Sequence, residues 1–286
     1  MILVADSGAT KAAWRLIRPD GSTLQARTQG INPYFATATQ MTTELKEVLL
    51  PQLAQESADI TALVQQVFFY GTGCGTAQNQ ELIKNMLQTF FPMAVVSVDT
   101  DMLGAARALC GRQPGIACIL GTGSHAALFD GDNITQYAVN LGFWLGDEGS
   151  GGHLGKQLVT DYLNGDLPQD LHTLFAKRYS LTRDEVLENA YQKPMPSRYM
   201  ASFSKFLFDN LSHPYAYRTV YQSFSNFLDK RVLKFPDAQR LPVHFTGSVA
   251  FYYANVLRKA AADKGLHVQH ILEEPAAGLA LYHSQQ

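Results

Sequence analysis

Two short loops in the chain combine glycine with hydroxyl side chains, at residues 5–11 (Ala-Asp-Ser-Gly-Ala-Thr-Lys) and 120–125 (Leu-Gly-Thr-Gly-Ser-His). Glycine lets a backbone approach an anion closely and adopt positive φ, and Ser or Thr hydroxyls with free N–H groups can then line a phosphate. Each loop is entered and left through an aliphatic or β-branched run, which predicts a strand, a tight turn and a second strand. The two loops therefore predict a pair of hairpins that hold phosphate groups.

The segments around these loops alternate between the two periodicities of secondary structure, which predicts an α/β fold. Strands are predicted at about 2–6, 12–18, 67–70, 94–98, 116–120, 126–129, 136–144 and 243–246. Helices are predicted at about 39–56, 79–91 and 102–109, from about 154, through much of 167–234, and from Pro275. Gly8 and Gly123 are 115 positions apart. That spacing suits one duplicated domain rather than a short-period repeat.

One acidic residue stands where a predicted strand gives way to a helix. Asp101 follows the strand at 94–98 and opens the next helix near its N-cap. Its side chain is therefore available either to the N–H groups of the first helical turn or to a ligand. Asp99, two residues earlier, is the alternative acid at this strand end.

Composition excludes several classes of function. The 286 residues carry a formal net charge of −2, so no large basic face is expected and nucleic-acid binding has little support. The first residues lack a basic secretory n-region, and no stretch of about 18 apolar residues occurs, so we expect a cytoplasmic protein that does not associate with membranes.

The three cysteines give no sign of a disulfide framework or a structural zinc site, because they form no C-x-x-C pair. Cys110 and Cys118 are expected to be reduced thiols. Cys74 lies between Gly73 and Gly75, and it is the cysteine whose setting points to a site.

Taken in order, five motifs resemble the actin-like ATPase superfamily of sugar kinases, actin and the 70-kDa heat-shock chaperones. They are the first phosphate loop at 6–11, the first connecting helix at Asp101 with Gly104 and Ala105, the second phosphate loop at 121–124, the adenosine loop at 246–248, and the second connecting helix at 274–278. The string Gly-Phe-Trp-Leu-Gly-Asp-Glu-Gly-Ser-Gly at 142–151 is similar to the signature of the N-acetylglucosamine kinase group, often labelled BadF/BadG/BcrA/BcrD-like. Two segments depart from the pattern: the adenosine loop has Gly247-Ser248 where two glycines are common, and residues 71–75 differ from the expected sugar-side loop.

The resemblance implies an α/β fold of two duplicated actin-like (ribonuclease H-like) domains, with a cleft for ATP and substrate between them. We expect the N-terminal domain at 1–110, with a terminal helix at 273–286 that packs back on it. The C-terminal domain is expected at 111–272, with a helical insert at about 155–235 that supplies core, cover or a homodimer face. Phe143 and Trp144 could stack on a sugar face or fill core, and we expect them to fill core.

The resemblance also implies roles for individual residues. Asp101 would be the catalytic base, with Asp99 as the alternative, and Asp6 would hold Mg2+ through water, because Mg2+ usually keeps much of its hydration. The ATP phosphates and adenosine would contact Ser7, Gly8, Ala9, Thr10, Lys11, Gly121, Thr122, Gly123, Ser124, Gly247 and Ser248. The sugar would contact Asn32, Thr122, Gly123 and Asp147.

The implied activity is ATP- and Mg2+-dependent phosphorylation of an amino sugar, with N-acetylglucosamine at its 6-hydroxyl as the leading acceptor. N-acetylmuramic acid and glucosamine are the rival acceptors. A second class of function is an ATPase that activates a dehydratase or reductase, which requires a cysteine-ligated iron–sulfur cluster. A third is a sugar sensor without catalysis.

Overall fold

The computed structural model describes residues 1–8 and 10–285, so Ala9 of the first phosphate loop lies outside the described residues. The chain divides into two compact units. The first comprises Met1–Gln113, Phe129–Ile134 and Glu274–Gln286, and the second comprises Pro114–Leu128 and Thr135–Glu273.

Each half of the chain contributes one five-stranded sheet. The strands of the first sheet are β1 (Ile2–Ser7), β2 (Lys11–Ile17), β3 (Thr23–Gln29), β4 (Gln66–Gly71) and β5 (Val95–Thr100). Those of the second are β6 (Gly115–Leu120), β7 (Ser124–Phe129), β8 (Ile134–Tyr137), β9 (Pro242–Thr246) and β10 (His267–Leu272). Their orders, β3-β2-β1-β4-β5 and β10-β9-β6-β7-β8, are the same arrangement used twice. The predicted duplicated α/β fold is confirmed.

The register of the first sheet determines which loops are neighbours. β1 pairs in antiparallel fashion with β2 and in parallel fashion with β4, and β4 pairs in parallel fashion with β5. Ser7 therefore lies level with Gly71, and Gly71 lies level with Thr100. Because parallel strands end at the same edge of a sheet, the segments that follow β1, β4 and β5 meet there.

The helices number fifteen in the described part of the chain, with one π-helical turn (Leu45–Leu49) and one 3-10 turn (Val232–Lys234). They are α1 (Ala38–Glu44), α2 (Leu50–Leu53), α3 (Ile60–Leu63), α4 (Ala77–Phe90), α5 (Asp101–Cys110), α6 (Gly142–Leu145), α7 (Gly151–Asn164), α8 (Gln169–Tyr179), α9 (Arg183–Tyr191), α10 (Pro196–Ala201), α11 (Ser204–Asp209), α12 (Pro214–Lys230), α13 (Ser248–Tyr252), α14 (Ala254–Ala262) and α15 (Ala276–Ser284). No helix within residues 1–8 and 10–285 is long and apolar enough to cross a membrane.

The helix predicted over 39–56 is present, but it is distorted just before Pro51. Residues 45–49 form a π-helical turn, and Leu50 N donates to Leu45 O across it. Proline lacks an N–H and its ring crowds the carbonyl one turn back, so a local widening of the helix relieves the clash.

Each unit has its own hydrophobic core. In the first, Leu3, Trp14 and Phe69 from the sheet pack with Leu49 and Leu87 from the helices. In the second, buried aromatic residues of the helical insert share one cluster with residues of β6 and β9, and these include Phe175, Phe203, Phe206, Phe224 and Phe227. The insert therefore supplies core to the second unit.

Two local predictions in the second half are wrong. The strand predicted over 136–144 ends at Tyr137, and α6 follows from Gly142, where Asn140 Oδ1 accepts a 2.7 Å hydrogen bond from Gly142 N and Gly142 has a φ of +66°. Trp144 of α6 is 48% exposed, so it is not a core residue. A single helical turn is too short to show a period of 3.6, and its apolar residues mimic a strand.

Candidate functional site

Asp101 is the first residue of α5, but it does not cap the helix. Thr100 is the N-cap residue, and its Oγ1 accepts a 3.2 Å hydrogen bond from Leu103 N. The Asp101 carboxylate instead accepts a 2.6 Å hydrogen bond from Thr72 Oγ1, at the end of β4. Asp99 accepts a 2.8 Å bond from the neighbouring N–H of Thr100. Of the two candidate bases, Asp101 is the one whose carboxylate is held by a neighbouring strand end rather than by its own backbone.

Asp6 lies near the end of β1, in a setting of negative charge. Burial raises the pKa of Asp6 to about 7, and the carboxylates of Asp101 and Glu274 add to the shift, while Lys11 opposes it. A carboxylate whose pKa is raised by neighbouring negative charge would gain from a nearby cation. The metal role that the resemblance implies for Asp6 stays a prediction.

Lys11 was expected to add positive charge for a phosphate, but in this structure its Nζ forms an ion pair with Glu274. Arg27 completes the arrangement through two hydrogen bonds to the same carboxylate, at 3.2 and 3.0 Å. Burial raises the pKa of Glu274, but the hydrogen bonds and charges of the two cations outweigh it and hold that pKa below its usual value. Lys11 thus ties the first hairpin to the start of the terminal helix.

The Ser7 hydroxyl was expected to face a phosphate, but it joins β1 to the segment that precedes Asn32. Ser7 is fully buried, and its Oγ accepts from Ile31 N at 2.8 Å and donates to Ile31 O at 3.2 Å. With its donor and acceptor both in use, the hydroxyl anchors the loop that carries Asn32.

Asn32 presents an unused donor. The residue is 1% exposed, and its Nδ2 has no hydrogen-bond partner, whereas its Oδ1 accepts a 2.9 Å bond from Tyr34 N. A buried amide donor without a partner costs free energy unless a ligand or water satisfies it. The observation supports a ligand contact at Asn32.

The segment 71–75 lies directly against Asn32. Gly73 has a φ of +91°, and a Cβ on it would lie 2.6 Å from Asn32 Oδ1. Side chains of α4 hold the segment from the other side: Asn79 Nδ2 donates to Gly73 O at 2.8 Å, and Gln80 Nε2 donates to Cys74 O at 2.9 Å. In the sequence, this segment differs from the expected pattern and contains Cys74 between two glycines, but no local signal predicts the contact of Thr72 with Asp101.

In the second unit, the loop after β6 is held by the start of α7. Gly151 N donates to Gly121 O at 2.8 Å, and Gly152 N donates to Thr122 O at 3.0 Å. A Cβ on Gly121 would have no heavy atom within 4 Å, so this glycine borders open space. Positive φ was expected at the loop glycines, but Gly8, Gly121 and Gly123 do not have it. Their contribution is therefore the absence of a side chain, which lets other groups come close to the loop backbone.

Asp147 packs against the same loop. It has a φ of +57°, its Oδ1 accepts a long 3.4 Å bond from Ser124 N, and a Cβ on Gly123 would lie 3.0 Å from its Oδ2. Burial raises the pKa of Asp147, and the neighbouring Glu148 carboxylate adds to the shift. The structure therefore brings Asp147, Gly123 and Ser124 together, and their role in ligand binding stays a prediction.

Glu148 stabilises the turn that carries Asp147. It is 5% exposed and accepts hydrogen bonds from Lys230 at 2.7 Å and from Arg231 at 2.9 Å. Because a buried carboxylate needs such partners, this ion cluster fixes the turn to the end of α12.

The predicted adenosine loop follows β9. Gly247 has a φ of +112°, and a Cβ on it would lie 2.3 Å from Leu120 O, so glycine is required for the close approach of β9 and β6. Ser248 begins α13. Thr246 Oγ1 is buried without a hydrogen-bond partner.

The three cysteines are all buried. Burial raises the pKa of both Cys74 and Cys110 to about 12, so neither thiol is activated. Cys74 belongs to the core of the first unit. Its setting between two glycines therefore reflects packing and not a reactive group.

No protein-family model and no curated protein sequence matches the chain. Solved structures do match. A protein from Porphyromonas gingivalis, provisionally named an N-acetylglucosamine kinase, is 40% identical, with a TM-score of 0.92 over 100% of this chain and 99% of that chain. A second protein with the same provisional name, from Chromobacterium violaceum, is 19% identical, with a TM-score of 0.70 over 98% of both chains. A ROK family glucokinase from Streptomyces griseus, solved with glucose and AMPPNP, is 14% identical, with a TM-score of 0.56 over 99% of this chain and 98% of that chain. The last two likenesses concern the fold alone.

Proposed function

Because the chain belongs to the N-acetylglucosamine kinase-like family of the actin-like ATPase superfamily, we propose that it is a sugar kinase that transfers the γ-phosphoryl group of ATP to an amino sugar. The proposed acceptor is N-acetylglucosamine, and the proposed position is its 6-hydroxyl. The P. gingivalis relative, 40% identical over the whole chain, carries that name provisionally.

One observation in the structure carries the proposal: the carboxylate of Asp101 stands at a strand end, not used for helix capping, and is held by a single hydroxyl donor. A sugar hydroxyl is a weak nucleophile at neutral pH, and a positioned carboxylate can accept its proton as it attacks phosphorus. The proton passes to Asp101, the bond from the sugar oxygen to phosphorus forms, and the bond from phosphorus to the β-phosphate oxygen breaks, so ADP leaves.

Acceptor binding is assigned to polar groups of each unit. In the first unit, Asn32 Nδ2 would donate to a sugar oxygen, which is supported by its burial without a partner. In the second unit, Asp147 would accept from sugar hydroxyls, and Thr122 and Gly123 would contact the sugar. A site built on such hydrogen bonds discriminates strongly against acceptors that lack the matching groups.

Nucleotide binding is assigned to Gly8, Ala9 and Thr10, to Gly121, Thr122, Gly123 and Ser124, and to Gly247 and Ser248, whereas the Ser7 hydroxyl is bonded to Ile31 and anchors the loop that carries Asn32. Mg2+ would be held by Asp6 through water, and when bound it would neutralise charge on the transferred phosphate. Among the described residues, no set of three or more His, Cys, Asp and Glu side chains could hold a metal ion by itself. The proposed Mg2+ would be held by the single carboxylate of Asp6 together with phosphate oxygens and water, and Mg2+ usually takes only one or two carboxylates.

The test is an ADP-release assay with MgATP and a panel of acceptors: N-acetylglucosamine, N-acetylmuramic acid, N-acetylmannosamine, glucosamine and glucose. We expect the highest kcat/KM on N-acetylglucosamine, with phosphorus NMR of the product reporting the position. Asp101→Asn should lower kcat by about 10²–10⁴-fold, because it removes the proton acceptor. Asp99→Asn is the matched control and should stay within a few-fold of wild type.

No turnover on any of the five sugars would refute the proposed function, and acceptor binding without turnover would favour the sensor. Full activity in Asp101→Asn would refute the assignment of the base, and an equal loss in both variants would mean that the strand end as a whole, and not one carboxylate, is required.

A further inference from the structure

No role has yet been assigned to the segment 71–75. It nevertheless contacts three residues that have assigned roles. Thr72 N donates to Ser7 O at 2.8 Å, Thr72 Oγ1 donates to Asp101 Oδ2 at 2.6 Å, and Gly73 packs on Asn32. All of these residues belong to the first unit.

We propose that Thr72 is the positioning residue for the catalytic carboxylate: its hydroxyl holds one oxygen of Asp101, which leaves the other oxygen to accept the proton of the sugar hydroxyl. The inference rests on the proposed function. It assigns to Thr72 a role in the chemical step and not in binding.

The backbone around Thr72 is fixed on two sides, so its hydroxyl has a defined position. Its own N–H is bonded to the end of β1, and Cys74 N donates to Gly71 O at 3.2 Å within the turn. The carbonyls of Gly73 and Cys74 accept from Asn79 and Gln80 of α4. A donor on such a supported turn loses little freedom when it binds a carboxylate, which is the condition for precise positioning.

The carboxylate itself has few other constraints. Asp101 is partly buried, and the donated bond from Thr72 is the hydrogen bond that the structure gives its side chain. Without it, the Asp101 side chain could rotate among staggered conformers while the start of α5 stays in place, because Thr100 caps the helix independently.

The chemistry requires a hydroxyl and not the shape of threonine. Serine keeps the donor and loses only a methyl group, whereas valine keeps the branched shape and loses the donor. The two substitutions therefore separate the hydrogen bond from packing. Thr89 of α4 supplies a matched control, because it is exposed and its hydroxyl donates only to Asn85 O, one helical turn back.

The experiment compares Thr72→Val, Thr72→Ser and Thr89→Val with wild type in steady-state kinetics on the best acceptor of the panel. For Thr72→Val we expect kcat to fall by about 10–100-fold, because a misplaced base loses much of its contribution. Its KM values for acceptor and ATP should stay within about 3-fold, and so should its calorimetric Kd for the acceptor. Thr72→Ser and Thr89→Val should each retain kcat within about 3-fold.

A double-mutant cycle with Asp101→Asn decides whether Thr72 acts through Asp101. If it does, adding Thr72→Val to Asp101→Asn should lower the residual kcat by less than about 2-fold, since residues that act as one unit are not additive. A crystal structure of Thr72→Val should show the Asp101 carboxylate turned from its wild-type orientation on an otherwise unchanged backbone.

Three outcomes would overturn the inference while leaving the proposed function intact: an unimpaired kcat in Thr72→Val, equal losses in the valine and serine variants, or a loss confined to the acceptor KM. The last would make Thr72 a direct contact of the sugar. A wild-type protein without acceptor-dependent turnover would refute the proposed function itself, and the inference with it.

Discussion

The carboxylate of Asp6 is held in a setting that disfavours its charge, at a cost in stability. Burial, Asp101 and Glu274 raise the pKa of Asp6 from 3.8 to about 7, against the opposing charge of Lys11. Binding sites often hold groups in environments that the folded protein alone does not favour. The ligand-free protein should therefore show the strain as a dependence of stability on pH.

Because the pKa of Asp6 is higher in the folded protein than in the unfolded chain, its contribution to stability is lost as pH rises from about 4 to about 7. Asp6→Asn removes this titration. We expect the variant and wild type to have similar apparent Tm values at pH 4, and the variant to be more stable at pH 8, on the order of a few kcal/mol. The measurement is thermal unfolding from pH 4 to 8 without nucleotide or metal. Parallel curves for the two proteins would contradict the raised pKa.

At the scale of elements, strand ends and helix starts bring the assigned residues together. β1, β4 and β5 end level with one another, which places Ser7, Thr72 and Asp101 within hydrogen-bonding reach along one sheet edge. The terminal helix α15 packs across α5 at a close approach, where a Cβ on Gly278 would lie 2.5 Å from Ala108 O. Glu274, which precedes α15, bonds to Lys11 and Arg27. The α5–α15 contact therefore helps to hold both Asp101 and Glu274.

Gly278→Ala tests that contact. The new methyl group meets backbone rather than a movable side chain, so we expect a loss of about 1–3 kcal/mol and a fall of several degrees in apparent Tm. Gly121→Ala is the matched control for stability, since a Cβ there meets no heavy atom within 4 Å, and its apparent Tm should stay within about 1 °C of wild type. Equal apparent Tm values for both variants and wild type would show that the contact between α5 and α15 accommodates the methyl group without a loss of stability.

At the scale of the whole molecule, one sheet topology is used twice, and each unit has its own core. The insert helices enlarge the second core with aromatic residues. The cysteines belong to this buried framework, which bears on the rival function of an ATPase with a cysteine-ligated cluster. Thiols inside a core, with pKa values raised to about 12 at Cys74 and Cys110, are poor ligands for such a cluster.

We therefore expect Cys74 and Cys110 to react with dithiobis(nitrobenzoate) at pH 8 only after unfolding. The raised pKa keeps each thiol protonated, and burial blocks access of the reagent. Mass spectrometry of the labelled peptides, with and without guanidinium, makes the measurement. Rapid labelling of either cysteine in the native protein would contradict the buried setting and revive the cluster hypothesis.

The sequence alone determined the duplicated α/β fold, most strands and helices, and the aspartate at the start of α5, because each leaves a local pattern of periodicity, glycine loops or a strand end. The segment 142–145 was misassigned as a continuation of the strand that ends at Tyr137, since four residues are too few to show a period. Ser7 was assigned a phosphate contact from its place in a glycine loop, whereas its hydroxyl bonds to Ile31.

Only the tertiary structure decided which polar groups meet. Lys11 pairs with Glu274, 263 positions away, and Thr72 reaches Asp101 across 29 positions. No local sequence pattern predicts these contacts, because they depend on the register of the parallel strands and on the packing of the terminal helix. The sequence could name the carboxylate at the start of α5, but the fold determined that a hydroxyl from the neighbouring strand end would hold it.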